Sequence, residues 1–275
     1  ATWAAWLPHA RLRHWAIPLC LVKLLNKPLR IHLVNMKAIL LAAGLGTRLR
    51  PITDTLPKCL VPINGEPLLG LWLDKLVQLG VEEILINTHY FSEQVEAFVA
   101  ASPYHDRIIL SYEPELMGTA GTLVRNRTFW QGQTCMVIHA DNYCQSSLAG
   151  MLEAHNQRQT KTDATLLLFR TSTPSSCGIV KLDDNQVIQE FHEKVEHPPG
   201  NLASGALFIF SPDVYECYFS HMEAQRPYEL SLDVVPSMIG KLQGWLVDEH
   251  YIDIGTPESY SEAQKIAESQ TMPLL

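Results

Sequence analysis

From Met36 onward the apolar and polar positions fall into two alternating periods. "KAILLAA" is a continuous apolar run bounded by glycine, the pattern of a strand buried on both faces. "EPLLGLWLDKLVQLG" spaces its apolar residues three and four apart and stops at Gly80, which predicts an amphipathic helix. "EEILINT" predicts a strand, "FSEQVEAFVA" a helix with Ser92 as its N-cap, and "RIILSYE" a strand. "TAGTLVRNRTF" reads as a short helix, "TCMVIHADN" as a strand ending in an acid, and "SLAGMLEAHNQR" with "DATLLLF" repeats the pair. Strands alternating with helices imply a mostly parallel sheet covered by helices.

Beyond about residue 170 the rhythm changes. "CGIVKLDDNQVIQEFHEK" predicts two strands around an Asp-Asp-Asn turn, and "LASGALFIF" a further strand. "SLDVVPSMIG" predicts a short helix, and "GWLVDEHYIDIG" two more strands. "TPESYSEAQKIAES" closes the pattern as a helix, capped by Thr256 with Pro257 at its first position. No repeat, low-complexity tract or linker interrupts 36–275, so a single domain is expected there.

Composition narrows the classes. A hydrophobic content of 47% with 18% charged residues over 275 positions is that of an ordinary folded protein with a sizeable core. The formal charge of -8 argues against a nucleic-acid binder. Six cysteines stand scattered at 20, 59, 135, 144, 177 and 217 with no CxxC, which speaks against zinc and disulfide frameworks and for a reducing, cytoplasmic setting. The charge is uneven. Residues 1–35 hold five Lys/Arg and no acid, leaving 16 basic against 29 acidic residues in the remainder. Within that leader Lys23 breaks the apolar run "WAIPLCLVKLL", no small-residue cleavage site follows, and the run is too short to span a membrane. Met36 is therefore expected to begin the domain, with 1–35 an upstream extension that adds nothing to the chemistry.

The chemistry concentrates in "MKAILLAAGLGTRLRPITDTLPK". Gly44 and Gly46 lie just past a buried strand, where open α/β sheets bind ligands and where backbone N–H groups can approach a phosphate. Neither GxxxxGK[ST] nor GxGxxG is present, since position 49 is Leu. Arg48, Arg50 and Lys58 gather around this turn in an otherwise acidic chain, and their side chains suit a polyphosphate. Asp141 ends the fourth strand and Asp253 a late one. Two carboxylates at strand ends are what Mg²⁺ asks of a protein when waters and phosphates complete its shell.

These stretches are recognisable. "LAAGLGTRLRPITDTLPKCLVPINGEPLL" closely resembles the signature of the sugar-nucleotide pyrophosphorylases, the nucleotidyltransferases of sugar 1-phosphates. "EPELMGTAG", "HADN", "CGIV", "FHEK", "LASGALFIF" and "IDIGTP" agree with it in order and spacing. The resemblance covers 36–275 and not 1–35, and no counterpart of the left-handed β-helix domain found on some members is expected. It implies a Rossmann-like, doubly wound, mostly parallel sheet with helices on both faces and a small additional β region for the sugar pocket. It also implies a reaction with Mg²⁺ as cofactor, in which NTP and sugar 1-phosphate give NDP-sugar and pyrophosphate. By matching motif, Ala43, Gly44, Gly46, Thr47 and Arg48 would hold the nucleotide, together with Glu113, Gly118 and Thr119. Arg48 would face the departing pyrophosphate, and Lys58 the phosphates near the reacting centre. Asp141 and Asp253 would bind the metal. Glu193 would accept from sugar hydroxyls and Lys194 would pair with the sugar phosphate. Gly178 and Gly205 would line the sugar pocket, where a side chain would collide with the ring. The partners implied are small-molecule substrates, with no nucleic acid and no membrane. A homo-oligomer is compatible with the sequence.

A phosphate monoester has a second pKa near 6, so the nucleophile arrives ionised and needs no general base. This agrees with a site of Lys, Arg and Asp, and His89, His139, His192 and His221 are read as structural or solvated. Glu113 stands where relatives using UTP or dTTP tend to carry glutamine. A carboxylate can take both N1–H and N2–H of guanine, whereas uracil and thymine flank one N–H with two acceptors. GTP is therefore the favoured donor, ahead of UTP or dTTP and then CTP. "YELSLDVVP" and "IDIGTPESY" also look like the branch acting on mannose or manno-heptose 1-phosphate, which would place the protein in polysaccharide biosynthesis. A non-catalytic nucleotide-sugar-binding relative is the alternative of a different class.

Overall fold

The computed structural model describes residues 36–271. The expectations for residues 1–35 lie outside the described residues. The chain opens with β1 (Lys37–Leu41), whose last four residues are buried on both faces. Three single turns of 3₁₀ helix carry it through Thr47–Leu49, Ile52–Asp54 and Lys58–Leu60 to a small hairpin of β2 (Pro62–Ile63) and β3 (Glu66–Pro67). Helix α1 (Leu68–Gln78) buries Leu68, Leu69, Trp72, Leu73 and Leu76 along one face. It ends in a Schellman turn: Gly80, at φ 88°, donates to Val77 O, and Val81 donates to Leu76 O.

β4 (Glu83–Thr88), α2 (Ser92–Ala101) and β5 (Ile108–Tyr112) follow as expected. Ser92 is the first helical residue and does not cap. The N-cap is Phe91, in left-handed backbone without a side-chain bond. The expected helix over "TAGTLVRNRTF" is two, α3 (Gly118–Arg125) and α4 (Arg127–Trp130), parted at Asn126, whose side-chain amide donates to Thr122 O. Next come β6 (Cys135–His139), β7 (Asn142–Cys144), α5 (Ala149–Asn156), β8 (Ala164–Arg170), β9 (Gly178–Leu182), β10 (Ile188–Glu193) and β11 (Leu202–Phe210). The Asp-Asp-Asn turn between β9 and β10 is held by Asp183, whose carboxylate accepts the N–H of Asn185 and Val187. The helix expected over "SLDVVPSMIG" is a π turn (Leu230–Val234) running into a 3₁₀ turn (Val235–Met238), where Pro236 cannot supply the N–H of a continuing α-helix. β12 (Leu242–Leu246), β13 (Tyr251–Asp253) and α6 (Pro257–Thr271) complete the order. Thr256 caps α6 as expected, its hydroxyl accepting the Ser259 N–H while Ser259 Oγ accepts the Thr256 N–H.

The main sheet runs β10-β9-β11-β6-β1-β4-β5, with β8 on β11 and β12 on β8. β6, β1, β4 and β5 are parallel, whereas β11 lies antiparallel to β6, β8 and β9. The sheet is thus mixed, parallel through the first half of the chain and antiparallel around β11. One large core joins Ile39, Val137, Leu166, Phe208 and Phe210 to Trp130, Tyr215 and Phe219. The Trp130 ring is fully buried, edge-on to Tyr215 and Phe219, and donates to Leu123 O. A smaller core of Leu49, Val61, Ile63, Leu68, Tyr143, Ile254 and Ala263 ties α6 to the segment after β1.

Candidate active site

Because β1, β4 and β6 are parallel, their carboxyl ends open on one edge of the sheet, and the loops leaving them meet there. A second pairing adds a later segment. β13 lies antiparallel to β7 with Asp253 opposite Asn142, and Ile254 N–H donates to Asp141 O. That short ladder sets two carboxylates more than a hundred positions apart around one cation. Lys58 Nζ lies 2.6 Å from Asp141 Oδ2 and 3.5 Å from Asp253 Oδ1. The lysine is buried, at 6% exposure. Loss of water works to raise the Asp141 carboxyl pKa, but the Lys58 ammonium, His139 and a backbone N–H outweigh it and hold it below the usual range.

Two cavities adjoin at this point. The first, about 360 Å³, is lined by the loop Ala42–Gly44, by Lys58, Asn87, Glu113, Gly118, Thr119 and Thr122, and by Pro227 and Glu229. The second, about 230 Å³, is lined by Arg48, Gly178, Glu193, Lys194, Gly205, Tyr251 and Asp253. Asp141, His139, Thr119 and Glu229 belong to both. Of the residues expected from sequence to hold a nucleotide, Ala43, Gly44, Glu113, Gly118 and Thr119 meet in the first cavity. Gly46 and Thr47 line neither cavity, and Arg48 faces the second. Gly46 instead serves the packing of its own turn. At φ 63° a Cβ there would come within 2.9 Å of Thr53, whose hydroxyl donates to Gly46 O. Gly44 by contrast lines the first cavity and has open space where its Cβ would stand.

Several expected roles meet competing protein contacts. Glu113 is 1% exposed, and its carboxylate already accepts from the Thr122 hydroxyl, the Asn87 amide and the Met117 N–H. Thr119 gives both its N–H and its hydroxyl to Glu229. Gly118 is required by the protein itself: at φ 70° a Cβ would lie 2.4 Å from Tyr228 O. Gly178 and Gly205 line the second cavity as expected, and each is also hemmed in by protein side chains. A Cβ at 178 would come within 2.6 Å of the Phe191 ring and 2.7 Å of the Glu193 carboxylate, and one at 205 within 2.5 Å of Leu167 and 3.0 Å of Tyr251, so neighbouring side chains would have to shift to admit it. Lys194 pairs with Glu193 at 3.2 Å and keeps 64% of its side chain exposed at the second cavity. Arg48, equally open, stands 3.8 Å from Asp253.

Among the described residues no group of three or more His, Cys, Asp and Glu forms a metal cage. The pair Asp141 and Asp253 nonetheless fits a Mg²⁺ ion. Both offer hard oxygens, and a cation already sits between them as the Lys58 ammonium.

Sequence reasoning did not single out Asn87, Thr122 and Glu229, which line the cavities. Asn87 could have been noticed as the polar residue near the end of an otherwise apolar strand. His139 lines both cavities, and burial pushes its imidazole pKa down against the pull of Asp141, Asp253 and Glu229. His89 binds Glu113 O through Nδ1, and His192 binds Glu190, as structural residues would.

A family model described as "Nucleotidyl transferase" matches residues 37–270. A Mycobacterium tuberculosis mannose-1-phosphate guanylyltransferase is 29% identical over 231 residues, 82% of this chain and 63% of that protein. A D-glycero-alpha-D-manno-heptose 1-phosphate guanylyltransferase of Aneurinibacillus thermoaerophilus is 30% identical, covering 84% and 97% of the two chains. The UTP--glucose-1-phosphate uridylyltransferase AglF of Haloferax volcanii is 29% identical, covering 86% and 98%. The chain thus spans nearly all of some curated relatives and about three-fifths of others. Among solved structures, a Bacillus anthracis protein named for glucose-1-phosphate thymidylyl transfer, in complex with sucrose, superposes with a TM-score of 0.77 at 24% identity, covering 86% and 97%.

Proposed function

The chain belongs to the nucleotidyl transferase family, an enzyme family, and we propose that it transfers the nucleotidyl group of a nucleoside triphosphate to a sugar 1-phosphate with release of pyrophosphate. The observation that carries this reading is the seam between the two cavities. Asp141, Asp253 and Lys58 meet there, between a glycine-loop cavity and a second cavity bearing Arg48, Glu193 and Lys194. In the reaction an ionised oxygen of the sugar 1-phosphate forms a bond to the α-phosphorus, the bond from that phosphorus to the bridging oxygen of the β-phosphate breaks, and pyrophosphate leaves with the electron pair. No proton need be removed from the nucleophile, so the protein has only to align two polyanions and offset their charge.

In this reading the first cavity holds the nucleotide against Ala43, Gly44 and the Gly118 backbone. Lys58 offsets negative charge at the seam and Arg48 faces the leaving pyrophosphate. Lys194 meets the sugar phosphate and Glu193 accepts from the sugar hydroxyls. Asp141 and Asp253 would hold Mg²⁺, which supplies Lewis-acid charge neutralisation when bound. The active domain is 36–275.

GTP is the favoured donor and a manno-configured sugar 1-phosphate the favoured acceptor. That preference rests on the likeness to the two guanylyltransferases rather than on Glu113, whose oxygens are engaged within the protein. The likeness to AglF favours UTP with glucose 1-phosphate as the second reading. Pyrophosphate release by the full chain with Mg²⁺ tests both, crossing GTP, UTP, dTTP, CTP and ATP with mannose, manno-heptose and glucose 1-phosphates. Release with GTP and a manno-configured acceptor is expected. Release only with UTP or dTTP overturns the base assignment, and silence across the grid with binding retained indicates a nucleotide-sugar-binding regulator. No helix among the described residues is long and apolar enough to cross a membrane. The five cysteines of the described residues are free thiols, and on that ground we assign the reaction to the reducing cytoplasm.

A further inference from the structure

We propose that Glu113 is a positioning residue: it holds the nucleotide loop in place through Asn87 and leaves the choice of base to other groups. The inference rests on reading the first cavity as the nucleotide site. β1 leaves its ladder at Leu41, whose partner in β4 is Asn87. The next N–H, that of Ala42, is accepted by Asn87 Oδ1 at 2.7 Å. The asparagine side chain therefore lengthens the ladder by one donor and sets the point at which the loop Ala42–Gly46 departs.

A primary amide on a rotatable stem does this only if its own orientation is held. Asn87 Nδ2 donates to Glu113 Oε1 and to Thr122 Oγ1, both at 3.1 Å. The Thr122 hydroxyl also donates to Glu113 Oε1, at 2.6 Å, and the Met117 N–H donates to Oε2 at 3.3 Å. The two oxygens of Glu113 accept from all three neighbours together, and Thr122 Oγ1 also lies 3.0 Å from Gly118 O. Glu113 is 1% exposed. A carboxylate offers about four lone-pair sites, so with three donors held, taking both N1–H and N2–H of guanine would require Glu113 to release one of these buried donors and leave it unpaired. Glu113 thus links the start of α3, through Asn87, to the glycine loop, and all of these line one cavity.

Glu113→Gln separates the two roles. The glutamine has the same shape, but its NH₂ must face the Asn87 amide in one orientation or the Met117 N–H in the other, which disturbs the loop whatever base is bound. Dissociation constants of GTP and UTP are measured by titration with the full chain and Mg²⁺, alongside the KM for mannose 1-phosphate. Both nucleotides are expected to bind roughly 10- to 100-fold more weakly in the variant. The ratio between them and the KM for the sugar phosphate should stay unchanged. Asn87→Ser should produce a similar loss, and the double variant should be no worse than the poorer single one. A GTP-to-UTP ratio that moves about tenfold or more, or single losses that multiply in the double variant, overturns the inference. If Glu113→Gln does not fold, Thr122→Val is read on the same ratio, with a smaller uniform weakening expected. A chain that folds but binds no nucleotide overturns the nucleotide reading and this inference with it, whereas a moved ratio in a binding chain overturns this inference alone.

Discussion

In the first cavity Glu113, Asn87, Thr122 and the Ala42 N–H form a closed, buried set of hydrogen bonds. In the second, Arg48 and Lys194 keep 63% and 64% of their side chains exposed, each with one acidic neighbour. On the proposed assignment of the two cavities, the difference follows from what each side would bind. A base and ribose are uncharged and are selected by a shaped wall, so its polar groups can be spent on holding that wall rigid. A sugar phosphate brings two negative charges, and cations must remain available to meet them. The seam shares both characters, with Lys58 buried like the first side and charged like the second.

Four experiments sharpen or break this contrast. The largest effect is expected at the seam, where both sides depend on the same carboxylate. Asp141→Asn should lower turnover by roughly 10²–10³-fold while far-UV circular dichroism stays that of the unaltered chain. Near-normal turnover would remove Asp141 from the metal assignment. On the open side, Lys194→Met should raise the KM for the sugar phosphate by roughly 10- to 100-fold and leave nucleotide binding alone. Equal losses for both substrates would mean that the two cavities do not divide the substrates as described.

A third measurement provides the background away from the cleft. Burial, helped by the Arg158 charge, depresses the His155 imidazole from 6.5 to about 3. The folded protein then stays neutral at His155 while the unfolded chain takes up a proton below its own pKa. Stability should fall as the pH drops from about 6.5 towards 3, by on the order of a few kcal/mol. His155→Gln should flatten that slope in denaturant titrations, and an unchanged slope would assign it to other groups. The smallest effect is expected from deleting residues 1–35, which should leave turnover and melting temperature nearly unchanged. A large loss of either would make the leader part of the working domain.

The legibility of these features in the sequence was uneven, for identifiable reasons. The parallel half of the sheet could be read because apolar runs such as "KAILLAA" and "EEILINT" report burial directly. The hairpin pair of β9 and β10 was equally clear, since Asp183 and its neighbours carry their own turn chemistry. Ser92 misled because an N-cap is decided by the φ/ψ of the preceding residue, and Phe91 takes that place. The surroundings of the glycines were hidden for a related reason. Gly178 and Gly205 stand in the expected cavity, but the atoms that crowd a side chain come from Phe191, Leu167 and Tyr251, each distant along the chain.

Local pattern alone was enough to establish the alternation of strands and helices, the glycine turn at a strand end and the set of Arg, Lys and Asp suited to phosphates. Burial and turn chemistry act over a few residues and leave a periodic trace. The tertiary structure decided which charges meet. Only the pairing of β13 with β7 brings Asp253 to Asp141 and seats Lys58 between them, and only the register of β4 against β1 places Asn87 beside the Ala42 N–H. Hydrogen bonds and Coulomb forces depend on distances of a few ångströms between residues tens to hundreds of positions apart, and that information exists only once the chain has folded.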